Sequence, residues 1–335
     1  MGGQDEMGEA TIRDVARHAQ VSIASVSRAL NGLGNVRAET RERVIAAAAE
    51  LGYVPHAGAR SLSLARAHAI GVVLPDLHGE FFSEFVRGMD REASRRGYVM
   101  LLSVMHDDSE QAAVALRAMR GRVDGLVVMA PHLSEGMLRR ALPTALPALI
   151  INGPRSIADI ATVRLDNATA TEAMVAHLVA TGRRRIVHIA GPDGNIDADE
   201  RATAFRASIA RHLPGTEPIV LPGDFAEEGG EAVARAVAAG EFACDAVFAA
   251  NDMMALGCLQ GLRAAGIDVP GQVAVAGFDD IPLARYLGVT TMRVRIAELG
   301  EEAIGRVINV LEGEGADTRA ELHQAELVVR ATSAG

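Results

Sequence analysis

TIRDVARHAQVSIASVSRALNG, residues 11–32, carries two short apolar stripes at helical spacing with a break between them. Ile12, Val15, Ala16 and Ala19 recur on one face of a first helix, and Thr11 followed three residues on by Asp14 marks its start as a capping box. Ser22 is placed to cap a second helix, which turns Val26, Ala29 and Leu30 inward and leaves Ile23, Ala24, Ser27 and Arg28 outside. The break at His18–Gln20 is short enough to keep the two helices in contact, which is helix–turn–helix spacing. Beyond a loop, NGLGNVR, a third helix is predicted from about Ala38 to Leu51, with Val44, Ala47, Ala48 and Leu51 on one face. Gly52 ends it and Pro55 prevents its resumption.

Working outward, the charge is unevenly spread. The 335 residues carry a net charge of −10, yet residues 11–66 hold eight arginines against Asp14, Glu39, Glu42 and Glu50. A basic head on an acidic body fits a nucleic-acid-binding module joined to something else. An exposed Arg28 on the second helix suits paired hydrogen bonds to a guanine edge. Thr11, Ser22, Ser25, Ser27 and Asn31 are short donors suited to phosphate oxygens.

From Ala69 the texture changes. AIGVVL (69–74), YVMLLSV (98–104), DGLVVM (124–129), ALII (148–151) and TVRL (162–165) read as buried strands, followed by IVHIA (186–190), PIVL (218–221), AVFAA (246–250) and QVAVAG (272–277). Helical stretches at 82–96, 109–120, 167–181, 198–211, 227–239 and 252–265 separate them. Continuous apolar strands alternating with helices imply parallel sheets covered on both faces. The fold class expected is therefore a small all-α helix–turn–helix headpiece plus an α/β domain of two doubly wound parallel-sheet lobes. The cleft between the lobes lies at the strand carboxyl ends, where such folds bind ligands. Phe81-Phe82, Asn152, Asn251 and Asp279 fall at such ends. Aromatic residues make up only 3% of the chain, so phenylalanines in loops stand out.

Several function classes find no support. The chain lacks GxSxG, a Walker loop and HExxH, and GLGNVR lacks the third glycine of a dinucleotide fingerprint. His106, Asp107 and Asp108 read as a solvated loop. Cys244 and Cys258 lack metal-ligand spacing and read as packed hydrophobes. No catalytic residue, metal or cofactor is expected. The first ten residues, MGGQDEMGEA, read as a disordered leader without the apolar core of a signal peptide, and no run reaches the length of a spanning helix. A cytoplasmic protein without membrane contact is expected.

Residues 11–66 resemble the headpiece of the lactose/galactose-repressor family of bacterial transcription factors through TIRDVA, VSxxSVSRALNG, ETRERVxAAAxELGYxP and ARSL. The resemblance continues through VxPDxxxxFFxExxRG (73–88), DGLVVMAP (124–131), RRRIVHIAGP (183–192), ERxxxFR (200–206), VFAANDMMALG (247–257), VAVAGFDD (273–280) and ELVVR (326–330). It implies a periplasmic-binding-protein-like body over 69–335, with one lobe at about 69–163 plus 293–322 and the other at about 164–292 plus 323–331. The headpiece would span 11–56 and a hinge 57–68, too short for a stable helix alone.

Residue roles follow from the same resemblance. Ile23, Ala24 and Arg28 match base-reading positions, and Thr11, Ser22, Ser25, Ser27 and Asn31 match phosphate contacts. Leu62 matches the hinge leucine that wedges into the minor groove. Phe81, Phe82 and Phe225 match pocket walls; Asn152, Arg201, Asn251 and Asp279 match effector-binding positions, with Asn195 and Asp197 weaker candidates. Arg201 could instead be a surface arginine paired with Asp197, and Asn251 and Asp279 could be helix caps. Three departures stand out: Gln20 in place of a turn glycine, Arg37-Ala38 in place of Ser-Pro, and His56 where Asn is common before the hinge. The implied protein is a homodimer on a pseudo-palindromic operator, released by a small effector, a sugar first of all. A purine or sugar phosphate, co-repression, activation, and a sugar-binding receptor are the alternatives. With no trailing leucine heptads, a tetramer by an appended coiled coil is not expected.

Overall fold

The computed structural model of the protein describes residues 10–31, 36–53, 66–105, 109–154, 157 and 159–334. His56, Leu62, the linker up to residue 65 and the stretch 106–108 lie outside the described residues.

The amino-terminal unit consists of α1 (Ile12–His18), α2 (Ile23–Leu30) and α3 (Ala38–Glu50) around fully buried Val15, Val26 and Val44. The expected capping box forms: the Asp14 carboxylate accepts from the Thr11 hydroxyl at 2.6 Å and from its backbone N–H at 3.0 Å. These two bonds hold the Asp14 pKa below its usual value. Ser22 caps α2 by accepting from the Ser25 N–H at 3.1 Å. Because α1 runs to His18, the turn falls at Ala19–Ser22, slightly later than the spacing suggested. Within it Gln20 stands at φ +53°, a left-handed conformation that glycine adopts without strain. Arg37 precedes α3 and makes no side-chain cap, as its replacement of a capping serine implies.

The second unit alternates strand and helix. In chain order its first lobe holds β1 (Ala69–Leu74), α4 (Glu80–Arg95), β2 (Val99–Val104), α5 (Ser109–Met119), β3 (Gly125–Met129), α6 (Glu135–Ala141), β4 (Ala148–Ile151) and β5 (Ala161–Leu165). The second lobe follows with α7 (Asn167–Ala180), β6 (Ile186–Ile189), α8 (Ile196–His212), β7 (Ile219–Leu221), α9 (Glu227–Ala238), β8 (Ala246–Ala249), α10 (Asp252–Ala264), β9 (Ala274–Ala276) and α11 (Pro282–Leu287). The chain then passes through β10 (Thr291–Arg293), returns to the first lobe for α12 (Ile296–Glu312) and β11 (Ala320–His323), and ends through β12 (Glu326–Val328).

Each of the nine apolar runs contains a strand. The first sheet is parallel in the order β11-β5-β4-β3-β1-β2, and the second is parallel in the order β7-β6-β8-β9. β1, β3, β6 and β8 are buried along their whole length, as strands covered by helices on both faces must be. Both sheets reverse their winding beside the first strand, between β1 and β3 and between β6 and β8. These switch points open a crevice at the carboxyl ends of the strands. The chain crosses between lobes three times: after Leu165, between β10 and α12, and between β11 and β12, with β10 and β12 paired antiparallel. The first crossing lies just beyond the boundary expected at 163/164, because Ala161–Leu165 pairs as a whole with β4 and β11.

Candidate functional site

α2 is amphipathic in the sense the sequence implies. Val26 and Ala29 are buried, Ile23 is 45% exposed, and Ala24 and Arg28 face solvent. Ser25 and Ser27 are half-buried at its edges. The Arg28 Nε donates to the Ala24 carbonyl at 3.1 Å, one turn back, and the side chain is exposed. Asn31 ends α2 and donates from Nδ2 to the Ser27 hydroxyl at 3.3 Å. Thr11, Ser22, Ile23, Ala24, Ser25, Ser27, Arg28 and Asn31 thus occupy one small unit.

The second site is the cleft of the body. A cavity of about 130 Å³, open on one side, lies among the loops that leave β1, β3, β4, β6, β7, β8 and β9. It is lined by Phe81, Phe82, Asn152, Asn195, Asp197, Arg201, Phe225, Asn251 and Asp279, all of the effector candidates read from the sequence. Contacts between the lobes border it. The Ile196 N–H donates to the Pro131 carbonyl at 3.1 Å, the Leu283 N–H donates to Glu80 Oε2 at 2.8 Å, and His78 meets Glu227 at 3.0 Å.

Arg201 is no surface arginine. It is 4% exposed on α8, its Nε donates to Asn167 Oδ1 at 2.9 Å, and its Nη1 donates to the Ala250 carbonyl at 2.5 Å. Its guanidinium carbon lies 3.7 Å from the centre of the Phe278 ring, a cation–π contact. Asn167 completes the chain by donating to Asp197 Oδ1 at 2.8 Å and Glu200 Oε2 at 3.0 Å. Burial pushes Asp197 up, against the pull of Arg201. Asp279, 6% exposed at φ +111°, is pushed by burial up to about 7, with Arg201 opposing and Asp197 adding to the shift. It does not cap α11, which begins after Ile281.

The asparagines divide their duties. Asn195 Oδ1 caps α8 by accepting from the Asp197 and Ala198 N–H groups. Asn251 Oδ1 caps α10 through the Met254 N–H at 3.0 Å, while its Nδ2 donates to the Phe225 carbonyl at 2.8 Å. That bond steadies Phe225 at φ +65°. Asn152 differs: it is 5% exposed, sits at φ +47°, and its Oδ1 has no hydrogen-bond partner among the described residues. A buried acceptor without a donor is a place for a ligand hydroxyl. On the opposite side Phe81 packs edge-on to Phe82 at 5.4 Å and stacks on buried Phe85 at 6.2 Å.

Sequence reasoning missed Asn167, Phe278 and Gly191. Asn167 reads as the start of the helix at 167–181, and Phe278 stands only within the motif VAVAGFDD. A Cβ at Gly191 would fall 2.3 Å from the Phe225 ring, so the absent side chain makes room for that wall. His78 and His132 also reach the cavity edge. Elsewhere, burial pushes the Cys244 and Cys258 thiols up to about 12, which leaves them unreactive. Among the described residues Glu302, Glu321 and His323 come together, with buried Arg306 3.2 Å from Glu321. A protein cation already balances that cluster.

A three-helix unit with a solvent-exposed α2 face, in one chain with a two-lobed body around a cleft lined by aromatic, amide and charged side chains, defines a ligand-responsive regulator of transcription. Residues 11–56 match the family described as bacterial regulatory proteins, lacI family, and residues 175–333 match the periplasmic binding protein-like domain. The chain is 32% identical over 329 residues to the ribose operon repressor of Halalkalibacterium halodurans, covering 97% of each. It is 30% identical over 331 residues to the transcriptional repressor CytR of Escherichia coli K12, covering 97% of this chain and 96% of that one. Among solved structures, the lac repressor dimer bound to operator and the anti-inducer ONPF superposes with a TM-score of 0.87 at 28% identity, over 98% of this chain and 100% of that one. The chain belongs to the lacI family of bacterial regulatory proteins.

Proposed function

We propose that the protein is a transcriptional repressor that holds a pseudo-palindromic operator as a homodimer and releases it when a small effector, a sugar, fills the cleft. The observation that carries this is the pairing within one chain of an exposed α2 face with a cleft cavity whose Asn152 acceptor lacks a donor among the described residues. Arg28 reads a guanine edge and Ile23 with Ala24 meets thymine methyls. Thr11, Ser22, Ser25, Ser27 and Asn31 hold phosphates, and Leu62 enters the minor groove between half-sites. Two α2 helices reach adjacent major grooves only under two-fold symmetry. The edge strand β2 supports that assembly, because Val99, Leu101 and Leu102 on it and Val114 on α5 expose between 36% and 60% of their surface.

In the cleft Phe81, Phe82 and Phe225 supply apolar walls, while Asn152, Arg201 and Asp279 bind polar groups. Asn195, Asp197 and Asn251 hold those groups in place. The work is regulatory, without catalysis, in the cytoplasm at the nucleoid. Among the described residues no helix is long and apolar enough to cross a membrane. The test is selection of bound DNA from a random pool, followed by titration of the selected operator. Recovery of a palindrome bound more tightly than scrambled DNA and released by a sugar supports the reading. A ligand that tightens the complex marks a co-repressed regulator and overturns the release half.

A further inference from the structure

We propose that the cleft accepts an uncharged, single-ring polyol, a free monosaccharide, and rejects sugar phosphates, disaccharides, nucleosides and purine bases. This rests on the reading of the cleft as the effector site and names the class of ligand it takes. The relatives leave that class open: one is named a ribose operon repressor, and a similar solved structure is a CelR–cellobiose complex.

Size limits the ligand first. With the lobes bonded across Pro131–Ile196, Glu80–Leu283 and His78–Glu227, the cavity measures about 130 Å³. That is the scale of the ~150 Å³ hole that takes a single benzene-sized ring. A second sugar ring or a base joined to a ribose exceeds that volume and would have to project from the mouth of the cleft or part those contacts.

Charge limits it next. Asp76, Asp197, Asp224 and Asp279 line the cavity, and Arg201 is the one arginine among the lining residues. Two of its nitrogens are committed to Asn167 and Ala250, and its face to Phe278. Its Nε–Nη1 edge is therefore not open to the bidentate fork that holds a phosphate. Besides Arg201 the lining holds His78 and His132, and His78 is already bonded to Glu227, so a dianion would meet four carboxyl groups against few uncommitted cations.

Hydrogen-bond polarity supplies the third argument. Among the described residues Asn152 Oδ1 has no donor, and the Asp279 carboxyl is held by burial and neighbouring charges, with no hydrogen bond among the causes of its shift. The ligand must bring donors, which the hydroxyls of a sugar do at every ring position. A phosphate group replaces one such hydroxyl by acceptors alone, and a purine base brings few N–H groups. Phe81 and Phe225 then face the C–H surfaces of the ring.

The test is calorimetric titration and thermal shift of the full chain with D-ribose, D-xylose, D-glucose, D-galactose and D-fructose, beside ribose 5-phosphate, glucose 6-phosphate, cellobiose, cytidine and hypoxanthine. At least one free monosaccharide is expected to raise Tm and to bind more tightly than every compound of the second group. Asp279→Asn and Asn152→Ala, each checked for an intact fold by circular dichroism, are expected to weaken it roughly ten- to hundred-fold. Preferential binding of a phosphate, disaccharide, nucleoside or base overturns the proposal, and so does silence from every monosaccharide. The same panel is run against operator complexes. If a sugar phosphate releases DNA, the regulator stands and this ligand class falls; if a monosaccharide binds but no compound changes DNA affinity, the ligand class stands and the regulatory reading falls.

Discussion

At Gln20 a side chain occupies a backbone conformation, φ +53°, that costs an L-residue about 1 kcal/mol more than glycine. Gln20→Gly relieves that strain but adds freedom to the unfolded chain, so the expected gain is below about 1 kcal/mol. Hydrogen exchange of the α1 and α2 amides in the full chain measures it, and faster exchange in the variant would contradict the strain. Asp279 carries the opposite kind of tension. Its pKa rises on folding from 3.8 to about 7, so its stabilising effect is complete below about pH 4 and is lost as pH climbs through 7. The Tm difference between wild type and Asp279→Asn, without ligand, is expected to move against wild type across that interval, by on the order of 2–4 kcal/mol in stability. A difference independent of pH would show that the carboxyl is not desolvated. Single residues were partly legible in the sequence. A strand end announces Asn152 or Asp279, and the cap that Asn251 gives α10 is local, but nothing local reveals that the same amide also bonds the Phe225 carbonyl, 26 residues away.

α2 is the element on which specificity rests. Arg28→Ala is expected to weaken operator binding by roughly 1–3 kcal/mol with much less change on random DNA at the same salt. Equal loss on both would assign Arg28 to phosphate. α3 starts without a side-chain cap, so Arg37→Ser is expected to stabilise the headpiece by about 1 kcal/mol, read as slower exchange of the α3 amides. At this scale the sequence was most legible where burial is complete. Runs such as AIGVVL and AVFAA could only be covered strands. β11, β10 and β12 escaped notice because they are short and β11 is an exposed edge carrying Glu321 and His323. α12 was legible in principle, with Ile296, Leu299, Ala303, Ile304 and Val307 buried at helical spacing.

For the whole molecule, the claim is that filling the cleft changes DNA affinity. The lobes meet across the cavity through few polar contacts, of which His78–Glu227 is exposed and its histidine pKa is raised by that hydrogen bond. The contact is therefore strongest when His78 is protonated and fades as pH rises through its raised pKa. Glu227→Gln is expected to weaken effector binding modestly and to reduce its pH dependence, by calorimetry. Two lobes were legible from the alternation of strands and helices, whereas their closure was not, because each cross-cleft contact joins residues remote in sequence. Arg201→Ala and Asp279→Ala place their changes in the cavity and are expected to leave operator affinity intact while removing the response to ligand.

The most direct measurement is the operator dissociation constant of the full chain, by fluorescence anisotropy, with and without a saturating monosaccharide chosen by the binding panel. The expected result is a rise of about 5- to 150-fold, matched by an equal weakening of sugar binding to the DNA complex, since linkage is reciprocal. No rise on sugar binding, or a tighter complex, would contradict release by the effector.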